Sequence, residues 1–190
     1  MGPGVRRDDI LLWIEHRRDD VEGRMNSHLR PGIIAAVAAL ALDQASKLWL
    51  LFVFDIVAHH GKVTVTPFFD LVLTWNTGIS YGWFQNESAG GQAILLAVKA
   101  VAVIVLAIWM ARSRTLLATT ALGLIIGGAI GNAIDRFAYG AVVDFALFHV
   151  QIGGNTHDWY VFNLADVAIV AGVAALLYDS FLGVPAAKAP

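Results

Sequence analysis

Two segments of the chain place an asparagine three residues before an aspartate, Asn132 to Asp135 and Asn163 to Asp166. On a helix that spacing puts both side chains on one face, about a turn apart. One such segment alone is common. Here the two lie at the facing ends of adjacent apolar stretches, and the first is reached through Gly123, Gly127 and Gly131, a four-residue repeat that lets another helix approach closely. Carboxylates gathered at the edge of an apolar region suit an aspartic dyad. Two carboxyls that share a site cannot both ionise cheaply, so one keeps a proton while the other takes one from water; a peptide bond is then hydrolysed without metal or covalent intermediate. Asp166, in VFNLADVAIV with no basic neighbour, is the first member of such a pair. The second is Asp135 or Asp144. Arg136, directly after Asp135, favours an ionised carboxylate there. The apolar neighbours of Asp144 in AVVDFAL favour the protonated form and make it the better proton-sharing partner.

Other chemistries fit less well. His59, His60, His149 and His157 lack the H-E-x-x-H spacing and read as surface or interface histidines rather than zinc ligands. Ser46 and Lys47 are adjacent and point to different helix faces, and no G-x-S-x-G is present, so a serine nucleophile has no base. The absence of cysteine excludes disulfides, thiolate metal sites and a cysteine nucleophile. No metal and no cofactor is expected.

The elements that must carry these residues are membrane spans. The 190 residues are 57% apolar and 15% charged, with a mean hydropathy of +0.64. A single domain of that length has no core large enough to bury such a share, so the surplus faces lipid. Four stretches, roughly 31 to 54, 92 to 111, 115 to 134 and 159 to 178, reach the about 20 residues needed to cross about 30 Å of hydrocarbon. Arg6, Arg7, Arg17, Arg18, Arg24 and Arg30 precede the first, Arg112 and Arg114 lie between the second and third, and Lys188 follows the fourth. The excess of positive charge on one side puts both termini in the cytoplasm. The two outer connections hold only Lys62 and Arg136 among basic residues. Lys62 to Phe69, Leu71 to Trp75 and Ala141 to Val150 are rich in β-branched and aromatic residues and read as short strands, a small β platform over the helices. The net charge of -2 offers no pull on nucleic acid.

Residues 24 to 41 also resemble a secretory signal, with an Ala39-Leu40-Ala41 cleavage pattern. The apolar run resumes after Lys47, however, and reaches span length. Residues 1 to 24 are expected to be a dispensable cytoplasmic tail with Met25 as an alternative start, residues 25 to 183 the membrane domain, and 184 to 190 a C-terminal tail. Ionisable groups inside spans are costly and mark candidate sites. Asp43 and Lys47, at i and i+4, can neutralise each other or serve the site. Lys99 has no partner in its own span and can snorkel.

DQASK at 43 to 47, NTGISYG at 76 to 82, GGAIGNAIDR at 127 to 136, VVDF at 142 to 145 and FNLAD at 162 to 166 resemble, in order and in type, the lipoprotein signal peptidases, also called signal peptidase II. The resemblance covers about residues 30 to 180. It implies an all-α membrane protein with four transmembrane helices, a small periplasmic β cradle and a short periplasmic helix, in the bacterial inner membrane with its active site near the periplasmic face. It implies an aspartic endopeptidase that acts on diacylglyceryl-modified prolipoproteins and cuts just before the lipid-modified cysteine. The catalytic pair falls on Asp144 and Asp166. Asp43, Lys47, Asn76, Gly78, Gly128, Asn132, Asp135, Arg136, Asn163 and Ala165 would line or support the pocket. Substrate and membrane lipid are the expected partners, and the enzyme is expected to act as a monomer. The family often has Ala-Ala-Phe after N-x-G, where this chain has Ile79, Ser80 and Tyr81, and Gly153-Gly154-Asn155 is an added piece. The competing class is a small proton-coupled transporter or channel in which Asp43, Lys47, Lys99, Asp135 and Asp166 form a relay. A relay needs polar groups at successive depths, whereas Asp135, Asp144 and Asp166 all map near one face.

Overall fold

The computed structural model describes residues 29–78 and 89–182, leaving aside the side chains of 89–96 and of Leu182. The first helix, α1, spans Leu29–Val53. Its last turn, Trp49–Val53, widens into a π-helix that the N–H of Phe54 closes on the Trp49 carbonyl at 2.8 Å. The further helices are α2 (Ala89–Arg112), α3 (Leu116–Tyr139) and α4 (Leu164–Leu182). Among the described residues α1, α3 and the Leu164–Phe181 stretch of α4 are long and apolar enough to cross a membrane. Their outward faces carry Ile33, Val37, Phe52, Val170 and Phe181, as a lipid-facing surface requires. Helix α3 is the most enclosed of the three.

Small residues make that enclosure possible. A Cβ on Gly127 would collide with the Ala36 carbonyl of α1, and one on Gly128 would sit 2.5 Å from the Ala165 carbonyl oxygen of α4. The glycine ridge thus brings both neighbouring backbones against α3, whose packing against them replaces side-chain bulk.

A four-stranded antiparallel sheet, in the order β1 (Lys62–Thr66), β2 (Phe69–Asn76), β3 (Val142–Ile152) and β4 (Asn155–Asp158), covers one end of the helices. Leu50 and Ile56 at the end of α1 are buried against Phe145 and Ala146 of β3, with Leu71, Leu73 and Phe162 around them. Three strands match the expected segments to within a few residues. The fourth was not expected: Gly153 and Gly154, both with positive φ, form a two-residue turn that folds β4 back on β3. The added glycine-rich piece is that turn.

Two helix boundaries differ from expectation. Helix α3 continues to Tyr139, where Gly140 caps it in the left-handed conformation and donates to the Arg136 carbonyl at 3.0 Å. Helix α4 starts at Leu164 rather than near 159, because Trp159 and Phe162 pair with the backbone of β3 and Asn163 then caps the helix. The described residues contain no separate short helix of the kind expected beside the sheet, and residues 79–88 lie outside them.

Candidate active site

Five elements deliver polar side chains to one end of the helix cluster, next to the sheet. From α1 comes Lys47, buried with 2% of its surface exposed. Its ammonium is 2.8 Å from Asp43 Oδ2, 2.7 Å from Asp135 Oδ2 and 3.1 Å from Asn132 Oδ1. All three of its protons therefore have acceptors, and the buried charge is satisfied. The i,i+4 pair expected within α1 is present, and it extends across to α3.

Asp43 has a further task. Its Oδ1 accepts the N–H of Ala165 at 2.9 Å, in the first turn of α4, where amides have no partner within the helix. Gly131 leaves room for this carboxylate, since a Cβ there would strike Asp43 Oδ2. Asp135 is engaged on both oxygens: Oδ1 accepts from Gln44 Nε2 at 2.9 Å, and Oδ2 from the N–H of Val143 at 3.1 Å as well as from Lys47.

The two N-x-x-D segments turn out to be different structures. Asn132 and Asp135 both lie within α3, as the helical spacing implied. Asn163 instead precedes α4 and forms a reciprocal cap: its Oδ1 accepts the N–H of Asp166 at 3.0 Å, and Asp166 Oδ2 accepts the N–H of Asn163 at 3.4 Å. The same Asn163 donates from Nδ2 to Asp144 Oδ1 at 2.6 Å and to Asn132 Oδ1 at 3.1 Å, while Asn132 Nδ2 donates to Asp166 Oδ1 at 2.9 Å. Two amides thus tie Asp144 of β3 to Asp166 of α4.

Asp144 is buried, and its Oδ2 accepts from Asn76 Nδ2 at 3.0 Å. Asn76 lies diagonally across the β2–β3 pair, on the same face of the sheet. Asn76 Oδ1 in turn accepts the N–H of Gly78 at 3.2 Å. Burial pushes the Asp144 carboxyl up to about 6; the amide of Asn76 opposes the rise, and the Asp166 charge adds to it. Arg136 donates from Nη1 to the Asn132 carbonyl at 3.2 Å and lies close enough to interact with Asp144, Asp135 and Asp166.

The structure therefore brings together Asp43, Lys47, Asn76, Asn132, Asp135, Arg136, Asp144, Asn163, Ala165 and Asp166, with Gly78 and Gly128 supporting through backbone. Ile79, Ser80 and Tyr81 lie outside the described residues. Gln44 is a member that the sequence reading quoted but did not single out, bonding Asp43, Asp135 and the Gly131 carbonyl. Its signal was an amide between two charges in an apolar span. Ser46 turns back to the Asp43 carbonyl at 2.7 Å, away from any nucleophilic role. His149, read as a surface or interface histidine, has 12% of its side chain exposed and sits 3.3 Å from the Asp70 carboxylate, which Lys62 also engages at 2.9 Å. Among the described residues no three histidines and carboxylates are placed to hold a metal ion.

A model of the family described as signal peptidase (SPase) II matches residues 35–182, which include every side chain of this constellation. The chain belongs to the signal peptidase II family. It is 79% identical over 162 residues to a lipoprotein signal peptidase of Nitrobacter hamburgensis, covering 85% of this chain and 98% of that one. It is 71% identical to one of Rhodopseudomonas palustris, with the same coverage. A solved bacterial membrane enzyme superposes with a TM-score of 0.63 at 26% identity, covering 79% of this chain and 92% of that chain. Signal peptidase II is a peptidase family, and membership favours peptidase chemistry over the transporter alternative. The geometry agrees in kind, since the carboxylates converge on one cluster instead of marking a path through the helices.

Proposed function

We propose that this chain removes signal peptides from diacylglyceryl-modified prolipoproteins as an aspartic endopeptidase, with Asp144 and Asp166 as its catalytic pair. The observation that carries the reading is the paired amide bridge: Asn132 and Asn163 join these two carboxylates, whereas Asp135 and Asp43 are taken up by Lys47 and by backbone amides. Asp144, with its raised pKa, enters protonated and gives its proton to the scissile carbonyl oxygen as water attacks the carbon. Asp166 takes the proton from that water. The tetrahedral intermediate then loses its C–N bond; the proton on Asp166 goes to the leaving amine, and the hydroxyl proton returns to Asp144. The new amine belongs to the lipid-modified cysteine.

Residues 25–183 form the peptidase domain in this reading, with four spans, α1 to α4. The excess of arginine before α1 and between α2 and α3 supports a topology with both termini in the cytoplasm of a bacterium and the sheet and dyad at the periplasmic face of the inner membrane. The reading takes the enzyme to act as a monomer, supported by a site whose described side chains all interlock within this one chain. The test is cleavage by the purified protein of a diacylglyceryl-modified prolipoprotein, with the unmodified precursor as control. Release of the signal peptide from the modified form is expected; no cleavage of either, by folded protein, removes the reading.

A further inference from the structure

Beside the dyad, α2 and α3 leave a groove of about 560 Å³ between them. Its walls are Ala100, Val103 and Ile104 of α2 and Ile130, Ala133 and Phe137 of α3, all apolar. The single charged group on its wall is Lys99, half-buried, with no hydrogen-bond or ion-pair partner among the described residues. An ammonium inside a span costs several kcal/mol unless something compensates it. Arg136, on the same turns of α3, keeps a buried Nε without a hydrogen-bond partner. Lys99 lies within electrostatic range of Arg136 and Asp166, and Arg136 within range of Asp144 and Asp166. Two groups that can only donate thus lie within electrostatic range of the proposed catalytic pair, one of them, Lys99, on the wall of the apolar groove.

The substrate class offers the matching chemistry. The cysteine after the scissile bond carries, through its sulfur, a glycerol bearing two acyl esters. The ester carbonyls are joined to the reacting carbon through the cysteine side chain and the glycerol and can only accept hydrogen bonds, while the chains attached to them require apolar surface. We propose that the α2–α3 groove receives one acyl chain of the substrate's diacylglyceryl group while Lys99 and Arg136 donate to its ester carbonyl oxygens, an assignment that rests on the peptidase reading above. Lys99 is then a specificity-determining residue: it positions the lipid, and through the lipid the bond to be cut.

The test compares two synthetic prolipoprotein peptides, one carrying a dihexadecanoyl glyceryl ester and one its dialkyl ether analogue, which has the chains but no carbonyls. The full chain and its Lys99→Met variant, which keeps the apolar stem and loses the donors, are assayed on both in detergent micelles. The variant is expected to raise KM for the diester about tenfold, the loss of a hydrogen bond to a charged group, with kcat retained. On the ether the two proteins should have equal KM. Equal KM on the diester overturns the proposal. So does an equal loss on both substrates, which would put Lys99 in contact with ordinary lipid or with the fold. Ala133→Phe, which narrows the groove, should raise KM for the dihexadecanoyl ester and leave a dibutanoyl ester unaffected; the same change on both overturns it. Parent enzyme that cleaves neither the diester nor the ether removes the peptidase reading along with the proposal. Cleavage without any Lys99 effect removes the proposal alone.

Discussion

Asn163 donates its side-chain amide to Asp144 at 2.6 Å while its carbonyl oxygen accepts the backbone N–H of Asp166 at 3.0 Å. One residue is therefore both the helix cap of α4 and a direct partner of the buried carboxyl on β3. The two tasks can be separated. Asn163→Asp keeps an oxygen for the cap but loses the donor and sets a third carboxyl beside the pair. Thermal unfolding should stay within a few degrees of the parent, while kcat falls on the order of a hundredfold or more, in the range for losing an organising hydrogen bond at a reacting group. Near-parent turnover would mean that the bond to Asp144 is not needed.

Asp144→Asn and Asp166→Asn should each abolish cleavage in protein that still folds, since each keeps the shape and removes a proton carrier. Asp135→Asn should behave differently. It weakens a buried ion cluster with Lys47, so its first effect is on stability, and its residual activity should follow the folded fraction. Full folding with no activity in Asp135→Asn, combined with turnover by Asp144→Asn, would move the dyad onto Asp135.

The raised pKa of Asp144 has a stability consequence of defined sign. An ordinary carboxyl titrates near 3.8, whereas burial lifts this one to about 6, so between those values the folded state holds more protons than the unfolded state. Stability from this group is highest below pH 3.8 and falls as pH rises through 6, by about 3 kcal/mol in all. The Asp144→Asn variant lacks that slope, so its melting temperature relative to the parent should rise between pH 4 and pH 7.5. Parallel melting curves would show that Asp144 is not held protonated. Turnover of the parent should follow a bell whose alkaline limb reflects the pair and reaches toward neutral pH.

Lys47→Met should be among the most damaging substitutions that touch no substrate. It leaves Asp43 and Asp135 buried without a counter-charge, at a cost of about 3 to 5 kcal/mol. The double variant Lys47→Met with Asp135→Leu should recover part of that loss, read by denaturant unfolding in micelles. No recovery would show that Lys47 acts through packing rather than charge.

Three long apolar helices, three of the four strands and the polar residues of the candidate site could be read from local pattern: apolar length, β-branched runs, and aspartates where a membrane should hold none. What could not be read was pairing across the chain. The charge in direct contact with Asp135 is Lys47, 88 positions earlier in the sequence, in addition to the neighbouring Arg136 that adjacency suggested and that acts on it electrostatically. The start of α4 was placed too early because Trp159 to Phe162 are apolar enough for a span. Backbone pairing with β3 claims them, and the reciprocal cap between Asn163 and Asp166 then sets the first turn. Gly153 and Gly154 stood out as an unexplained insertion because a two-residue turn has meaning only when the strands on either side are known to pair.

The bond from Asp43 to the amide of Ala165 joins residues 122 positions apart. Synthesis proceeds from α1 onward, and α1 can enter the membrane early because Asp43 and Lys47 neutralise each other within one turn. Asp135 joins them when α3 arrives. Asp166 and the cap that presents it come with the last helix, so the pair proposed for hydrolysis is brought together only when α4 docks. On the proposed assignment, a chain whose last helix has not yet joined the others lacks one of its two proton carriers, so assembly of the fold itself times the onset of hydrolysis.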